Sequence, residues 1–338
     1  MKHPTTVPRW LIAFAAGLFV TAGLAVGAWA VDLPYVGWSP GQTSEAFDAI
    51  ILEEGVTAYP ADGELLVLTV VSQPLNVYEF VVAMFDPTVD VYDRAVVRRE
   101  GETDEEYRTR QLGLMDAAVQ RALVIAFDRL GLDVGEVRYR IESVLGGFPA
   151  ASVLDPGDFV LEVDGAPMDS IDVIRNQLAD RAPGDMVELT IERDGEIQTV
   201  MVELGETTDE ETGEPRTIVG ITIGPFIDPP VDIDTNNVGG PSAGMMYTLA
   251  LIDLLSEEDL THGHIIAGTG TIEADGSVGG IGGIRQKVVA AKAAGAAYML
   301  VPESNYAAAL TADRGSMELV SVATIDDALA FLASLDPA

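Results

Sequence analysis

"GSVGGIGGIRQKVVAAKAAGA", residues 276–296, crowds glycines into its first eight positions and then runs into good helix formers. The glycines do not fit G-x-G-x-x-G, and no Gly-Lys-Ser/Thr follows, so this is neither a dinucleotide nor a Walker loop. They lead instead into a helix that stops near Gly295. On that helix Ile284, Lys287, Val288, Ala291 and Ala294 share one face, which puts Lys287 inside an apolar stripe in the first turn. Lys292 faces elsewhere, nearer Arg285 and Val289. An inward lysine reads either as a buried ion pair or as an amine kept neutral. Burial and a helix N-terminus both disfavour the ammonium, and a neutral amine can deprotonate a serine.

Working outward, β-rich runs alternate with helical stretches. "IVGITIG" (218–224) precedes a helix over 241–255, and "HIIAGTGTI" (264–272) precedes the helix over 284–294. "AYMLVP" (297–302) leads to a last helix near 325–335. Such alternation predicts an α/β domain. At the start of its first helix stands "GGPSAG", 239–244. Gly239 and Gly240 permit a tight approach, and Pro241 suits a first helical turn because its missing N–H would be unsatisfied there anyway. Ser242 reads as helix punctuation or as a nucleophile whose Oγ meets the amides and dipole of a helix N-terminus. In the second reading, backbone amides near Gly240–Ser242 supply the oxyanion donors.

Composition narrows the chemistry. The chain of 338 residues has room for two domains plus accessory segments. It contains no cysteine, which excludes disulfides, thiolate catalysis and Cys-ligated metals. A formal charge of −35 argues against nucleic acid, because phosphate binding needs Lys and Arg. Lysine occurs only at 2, 287 and 292, every other basic residue being Arg. Arg cannot give up its proton in a protein, whereas a buried Lys can act as a base. His262 and His264 alternate around Gly263 without a third ligand, so no metal site and no Ser-His-Asp triad is predicted.

The N-terminus reads as a membrane device. Residues 10–31, "WLIAFAAGLFVTAGLAVGAWAV", carry no charge and are long enough to span a bilayer. Lys2 and Arg9 precede the run and Asp32 follows it, which keeps the tail 1–9 cytoplasmic. "AWA" at 28–30 has the look of a signal-peptidase site, but the length favours a retained anchor. Either way the rest of the chain is expected outside the cytoplasm. "LPYVGWSPG" (33–41) reads as an extended stalk within a 32–136 stalk and strand/helix region, with the globular part starting near residue 45. "GELLVLTVVSQ" (63–73) is a strand. Residues 103–131 read as a helix with Thr103 as N-cap, Glu106 at the capping-box position and Gly131 as the stop. Its stripe of Leu112, Met115, Ala118, Ala122 and Ile125 reads as core.

Residues 137–204 form a compact unit: the strand "VRYRIESV", turns and short strands over 146–168, and a helix opened by Ser170. A hairpin turning at Asp194-Gly195 completes it. "FPAASVLDPGDFVLEVDGAPM" (148–168) resembles the small-residue turn, Gly-Asp corner and Val-Asp-Gly turn of bacterial PDZ domains. That resemblance implies a peptide groove beside the helix Ser170–Asp180. Before Arg138 only "GLDVGEV" stands where a carboxylate-binding loop would be. The charged stretch 205–217 reads as a linker or surface loop.

"GGPSAGMMYTLALIDLL" and "GTGTIEADGSVGGIGGIRQKVVAAKAAGAAYMLVPESN" together resemble the proteolytic domain of Lon proteases, over about 218–336. The resemblance implies Ser242 as nucleophile, Lys287 as general base, and Thr269 as the threonine that helps position the lysine. Gly240 and Pro241 would support the serine. This chain departs from the family at Gly239, where an acidic residue is usual, and no ATPase module stands upstream. Anchor, PDZ unit and Lon-type domain (218–338) in this order are similar to the membrane-anchored, PDZ-containing Lon-like proteases of bacteria. The implied protein is an α/β (α+β) Lon-type domain with an inserted or preceding PDZ domain and an N-terminal transmembrane helix. Its implied activity is that of a single-pass, ATP-independent serine endopeptidase acting without cofactor or metal on exposed extracytoplasmic polypeptides. A hexameric ring is its implied assembly. A non-catalytic PDZ scaffold is the competing expectation, and a scaffold has no chemical need for Ser242 and Lys287.

Overall fold

The computed structural model describes Gly27 and residues 29–99, 101–208 and 213–338. The predicted tail 1–9 and nearly all of the predicted anchor 10–31 lie outside the described residues. Among the described residues no helix is long and apolar enough to cross a membrane.

A six-stranded mixed sheet organises the molecule. Its central strands are β3 (Glu64–Asn76) and β14 (Ile265–Gly268), which run parallel. On one side of them lie β1 (Asp32–Glu45) and β4 (Asp90–Asp93), both antiparallel to their neighbours. On the other lie β17 (Tyr298–Pro302) and β18 (Glu318–Val322), both parallel. Successive side chains of a strand face opposite sides, and β3 shows the consequence. Leu65 and Val67 pack with Met115, Val119 and Leu249, whereas Leu66 and Leu68 pack with Ile284, Val288 and Met299. The sheet is therefore covered on both faces. The first face carries α3 (Asp104–Leu130), α5 (Gly244–Leu254) and α8 (Ile325–Leu332); the second carries α6 (Ile284–Ala293) and α7 (Glu303–Ala309). Two short helices, α1 (Val77–Ala83) and α2 (Arg94–Val97), flank β4.

The helix over 103–131 forms with the predicted signals in place. Thr103 and Glu106 exchange both capping-box hydrogen bonds, and Gly131 closes the helix in the left-handed conformation. Of its stripe, Met115, Ala118, Ala122 and Ile125 are buried and Leu112 is half-buried.

The PDZ unit has its own core and its own sheet, ordered β12-β5-β6-β8-β9, with β7 (Ala166–Pro167) paired to β6. The strands are β5 (Arg138–Val144), β6 (Phe159–Val163), β8 (Met186–Arg193), β9 (Glu196–Glu203) and β12 (Ile221–Phe226). Asp194 and Gly195 both take positive φ at the β8–β9 turn, as a two-residue hairpin of this hand demands. Helix α4 (Ile171–Leu178) follows Ser170, whose side chain makes no capping hydrogen bond.

Three domain boundaries differ from the sequence reading. "LPYVGWSPG" is no stalk: it is the first half of β1, where Val36 is buried and Trp38 packs against Tyr92. The pairing register shifts between Pro40 and Thr43, so a bulge absorbs the proline that suggested a linker. The expected linker 205–217 is largely a ribbon of β10 (Gly205–Thr208) and β11 (Pro215–Ile218). The Lon-type domain does not begin at 218, because β12 completes the PDZ sheet by pairing with β5. The PDZ unit is thus inserted, since strands before and after it share one sheet. Two small pairings tie the remaining pieces: β2 (Ile50–Leu52) with β13 (Val231–Ile233), and β15 (Thr271–Ile272) with β16 (Val278–Gly279).

Candidate active site

Ser242 sits in a single 3-10 turn, Pro241–Ala243, that feeds directly into α5. Gly240 before it has φ 93, a conformation that costs glycine little and other residues much. Its N–H donates to the carbonyl of Gln111 on α3 at 2.8 Å. Gly239 lies against the same residue, and a Cβ built there would meet Gln111 Cβ at 2.7 Å. An acidic side chain at 239 therefore has no room unless α3 shifts.

Lys287 comes from the first turn of α6, whose N-cap Gly283 is left-handed. The chain reaches Thr269 at the C-terminal end of β14. These three segments bring Ser242, Thr269 and Lys287 together. Lys287 Nζ donates to Ser242 Oγ at 2.7 Å and to Thr269 Oγ1 at 2.8 Å. Thr269 Oγ1 in turn donates to the carbonyl of Ser242 at 3.0 Å, and Gly270 N–H donates to that carbonyl at 2.9 Å. The threonine thus ties the amine to the backbone of the serine it faces.

The electrostatics follow from burial. Lys287 is only 2% exposed. It makes no salt bridge among the described residues, which removes the ion-pair reading. Desolvation alone pushes its ammonium down to about 7. Its place in the first turn of α6 acts in the same direction, because a helix N-terminus is partially positive. In a chain of −35, no carboxylate lines the cleft above it. That cleft, about 400 Å³, is bounded by Trp38, Tyr107, Gln111, Gly239, Ser242 and Lys287.

One sequence expectation needs correcting here. Gly240 cannot serve as an oxyanion donor in this arrangement, since its N–H is already given to Gln111. Pro241 has no N–H. The N–H of Ser242 remains within the first turn, where amides lack intrahelical partners. Pro241 and Gly240 therefore shape the turn rather than bind charge. Gln111, Trp38 and Tyr107 escaped the sequence reading altogether. Gln111 looked like one more position on a core helix, and no local pattern marks a residue that acts through its own carbonyl.

His262 and His264 pack against residues 336–338. The carbonyl of His262 accepts from Ala338 N–H at 3.0 Å, His264 Nε2 meets the Asp336 carbonyl at 2.9 Å, and the His264 ring packs edge-on against Tyr298. Among the described residues no cluster of three His, Asp or Glu side chains is placed to hold a metal ion. Lys292, the lysine that points away, pairs with Asp313 at the surface.

Comparison with known proteins finds two families in the chain. Residues 235–334 match the model of the Lon protease (S16) C-terminal proteolytic domain, and residues 128–204 match that of the PDZ domain. The Lon protease of Phenylobacterium zucineum is 35% identical over 167 residues, covering 47% of this chain and 20% of that protein. A probable periplasmic serine endoprotease DegP-like of Halomonas elongata is 32% identical over 128 residues, covering 38% of this chain and 25% of that one. Among solved structures, the PDZ domain of an SdrC-like protein from Listeria monocytogenes aligns at 25% identity and a TM-score of 0.23. That alignment covers 27% of this chain and 93% of the other. The chain spans a quarter or less of the curated relatives it matches first. The matches support a serine peptidase that carries a PDZ domain.

Proposed function

We propose that this protein is a membrane-tethered serine endopeptidase in which Ser242 is the nucleophile and Lys287 the general base. The observation that carries the reading is the 2.7 Å contact between Ser242 Oγ and the amine of a buried lysine with no counter-charge. Around pH 7 a large share of that amine is neutral. It takes the Oγ proton as Oγ attacks the scissile carbonyl, and the developing oxyanion is met by the N–H of Ser242. The ammonium then gives its proton to the leaving amine. In the second half, Lys287 deprotonates a water that attacks the acyl-enzyme and returns the proton to Ser242. Thr269 holds the amine in line throughout.

The substrates are polypeptides that are already unfolded or exposed, because a strand-accepting groove takes an extended backbone. The PDZ unit supports recruitment. A groove of about 700 Å³ runs between α4 and residues 215–223, lined by Ile171, Ile174, Leu178, Ile218 and Ile221. The edge strand β12 lies beside it, ready to accept an added strand. The uncharged run 10–31 supports a single membrane pass with the catalytic part outside the cytoplasm, and a hexameric ring is the assembly to look for.

The test is turnover of an unfolded protein such as casein by the full chain in detergent micelles, beside Ser242→Ala and Lys287→Ala. Loss of turnover in both variants is expected. Equal turnover in all three sinks the dyad.

A further inference from the structure

Exposed apolar side chains gather at one end of the main sheet. More than half of the large ones exposed among the described residues fall within 29–31, 78–85 and at 96. Phe85 is 84% exposed, Val96 75% and Trp29 70%. Helix α1 is held firmly from behind: Asn76 and Glu79 form a capping box, Phe80 packs on Tyr35 with ring centroids 5.2 Å apart, and Ala83 is buried. Its other side, with Tyr78, Val81 and Val82, and Phe85 just beyond its end, is left uncovered. Contiguous apolar surface of this kind marks an interaction site.

What covers it follows from where the chain comes from. Asp32, the first residue of β1, pairs with Asn76, the residue that caps α1. On the other edge, Tyr35 pairs with Asp93, the residue that caps α2, whose exposed side carries Val96. The start of β1 is therefore flanked by both apolar patches. The uncharged run 10–31 ends at Val31, one residue before it. A chain leaving a bilayer at Val31 delivers α1 and α2 to the headgroup level at once. Trp29 and Tyr78 are the residue types favoured there. Arg94, Arg98 and Arg99 stand beside Asp32, Glu79, Asp86, Asp93 and Asp104, so the rim keeps a small net negative charge and the contact is carried by apolar surface rather than by charge.

We propose that α1, with Phe85 and the neighbouring Val96, docks on the membrane surface as a second, interfacial contact that fixes the orientation of the protease on its bilayer. The inference rests on the membrane-anchor reading. It adds to that reading a specific lipid-facing surface, so that the catalytic domain stands at a set angle rather than swinging on a tether.

The absence of cysteine allows a single labelled thiol. Phe85→Cys and, at the opposite edge of the sheet, Leu310→Cys are made in the full chain, labelled with an environment-sensitive dye and reconstituted into phosphatidylglycerol/phosphatidylethanolamine vesicles. Both positions are exposed, so neither change disturbs the core, and retained casein turnover verifies the fold. The expected result is flotation with the vesicles, a blue-shifted label at 85, and quenching there several-fold above that at 310 by lipids nitroxide-labelled near the headgroup. Flotation with equal, water-like emission at both sites overturns the docking surface and leaves the anchor standing. Failure to float overturns both. A blue shift at 85 that grows with protein concentration and ignores the quencher assigns the patch to a second copy of the chain, which also overturns the proposal.

Discussion

Replacing Lys287 by Met separates the stability of this protein from its chemistry. The substitution keeps the length of the side chain and removes the charge. A lysine that titrates near 7 instead of its ordinary 10.5 is protonated in the unfolded chain and largely neutral in the folded one over the pH range between. Its folded value is depressed, so the penalty is absent above about pH 10.5, grows as pH falls toward 7, and is constant below that. With those two values the linkage relation gives a penalty of about 4 kcal/mol at pH 7 and only about 1 kcal/mol at pH 9.5. The Met variant escapes it but loses two hydrogen bonds to the hydroxyls of Ser242 and Thr269, together worth about 2 kcal/mol. Lys287→Met is thus expected to be inactive and about 2 kcal/mol more stable than the parent at pH 7, with that advantage gone by pH 9.5.

Urea unfolding followed by tryptophan emission reads this directly, because Trp10, Trp29 and Trp38 all lie outside the PDZ unit. Other titrating groups cancel between the two proteins. The decisive quantity is the change in their stability difference between the two pH values, about 3 kcal/mol, which corresponds to a midpoint shift of about 1–2 M. A difference that is the same at both pH values refutes the idea that Lys287 is held neutral by burial.

The same titration sets the activity profile: kcat/KM on casein is expected to rise through a midpoint near pH 7 and to fall tenfold per unit below it. A flat profile from pH 5 to 9 counts against Lys287 as the base, and Lys287→Arg is expected to be inactive because guanidinium stays protonated. Gly239→Ala puts a Cβ 2.7 Å from Gln111 Cβ, so a displaced Ser242 turn and a kcat lowered roughly 10- to 100-fold are expected. Adding Gln111→Gly removes the opposing Cβ and should recover part of the loss, whereas no recovery places the fault elsewhere. Asp253 is buried, its Oδ2 has no partner, and desolvation raises its carboxyl to about 6. A raised carboxyl stabilises the fold below about pH 4 and loses that contribution as pH rises through 6. Asp253→Asn should therefore raise Tm at pH 8 and change it little at pH 4, and calorimetry at the two values decides the matter.

Legibility in the sequence followed the range of each interaction. The 3.6-residue spacing that turned Lys287 inward is a local property of α6, and the structure places that side chain among buried neighbours. The cap of α3 and the Asp194-Gly195 turn are likewise set by residues a few positions apart. What stayed hidden is long-range pairing. Nothing within residues 32–45 announces that they will lie between β3 and β4, and the Pro-Gly pair at 40–41 points the other way because a bulge can absorb it. Similarly, 221–226 reads as a strand but not as a strand of the PDZ sheet, since its partner β5 lies on the far side of the inserted unit.

Gly239 gathers these threads. By sequence it is only the loss of a carboxylate that is usual at that position. In the fold it is the point where α3 lies flush against the serine turn, with the Gln111 carbonyl taking the Gly240 N–H. The same helix meets the PDZ unit, through the ion pairs Arg121–Glu142 and Asp116–Arg140, and takes the Ile227 N–H on the Gln120 side chain as the chain returns from it. Gln111 and Arg121 are ten residues apart, about 15 Å along the axis. A carboxylate at 239 would wedge this helix away from the turn and would also supply the missing counter-charge near Lys287, raising the very value that burial lowers. The glycine lets one helix meet the PDZ unit at one point and the backbone of the Ser242 turn at another, and it leaves the lysine without a carboxylate beside it.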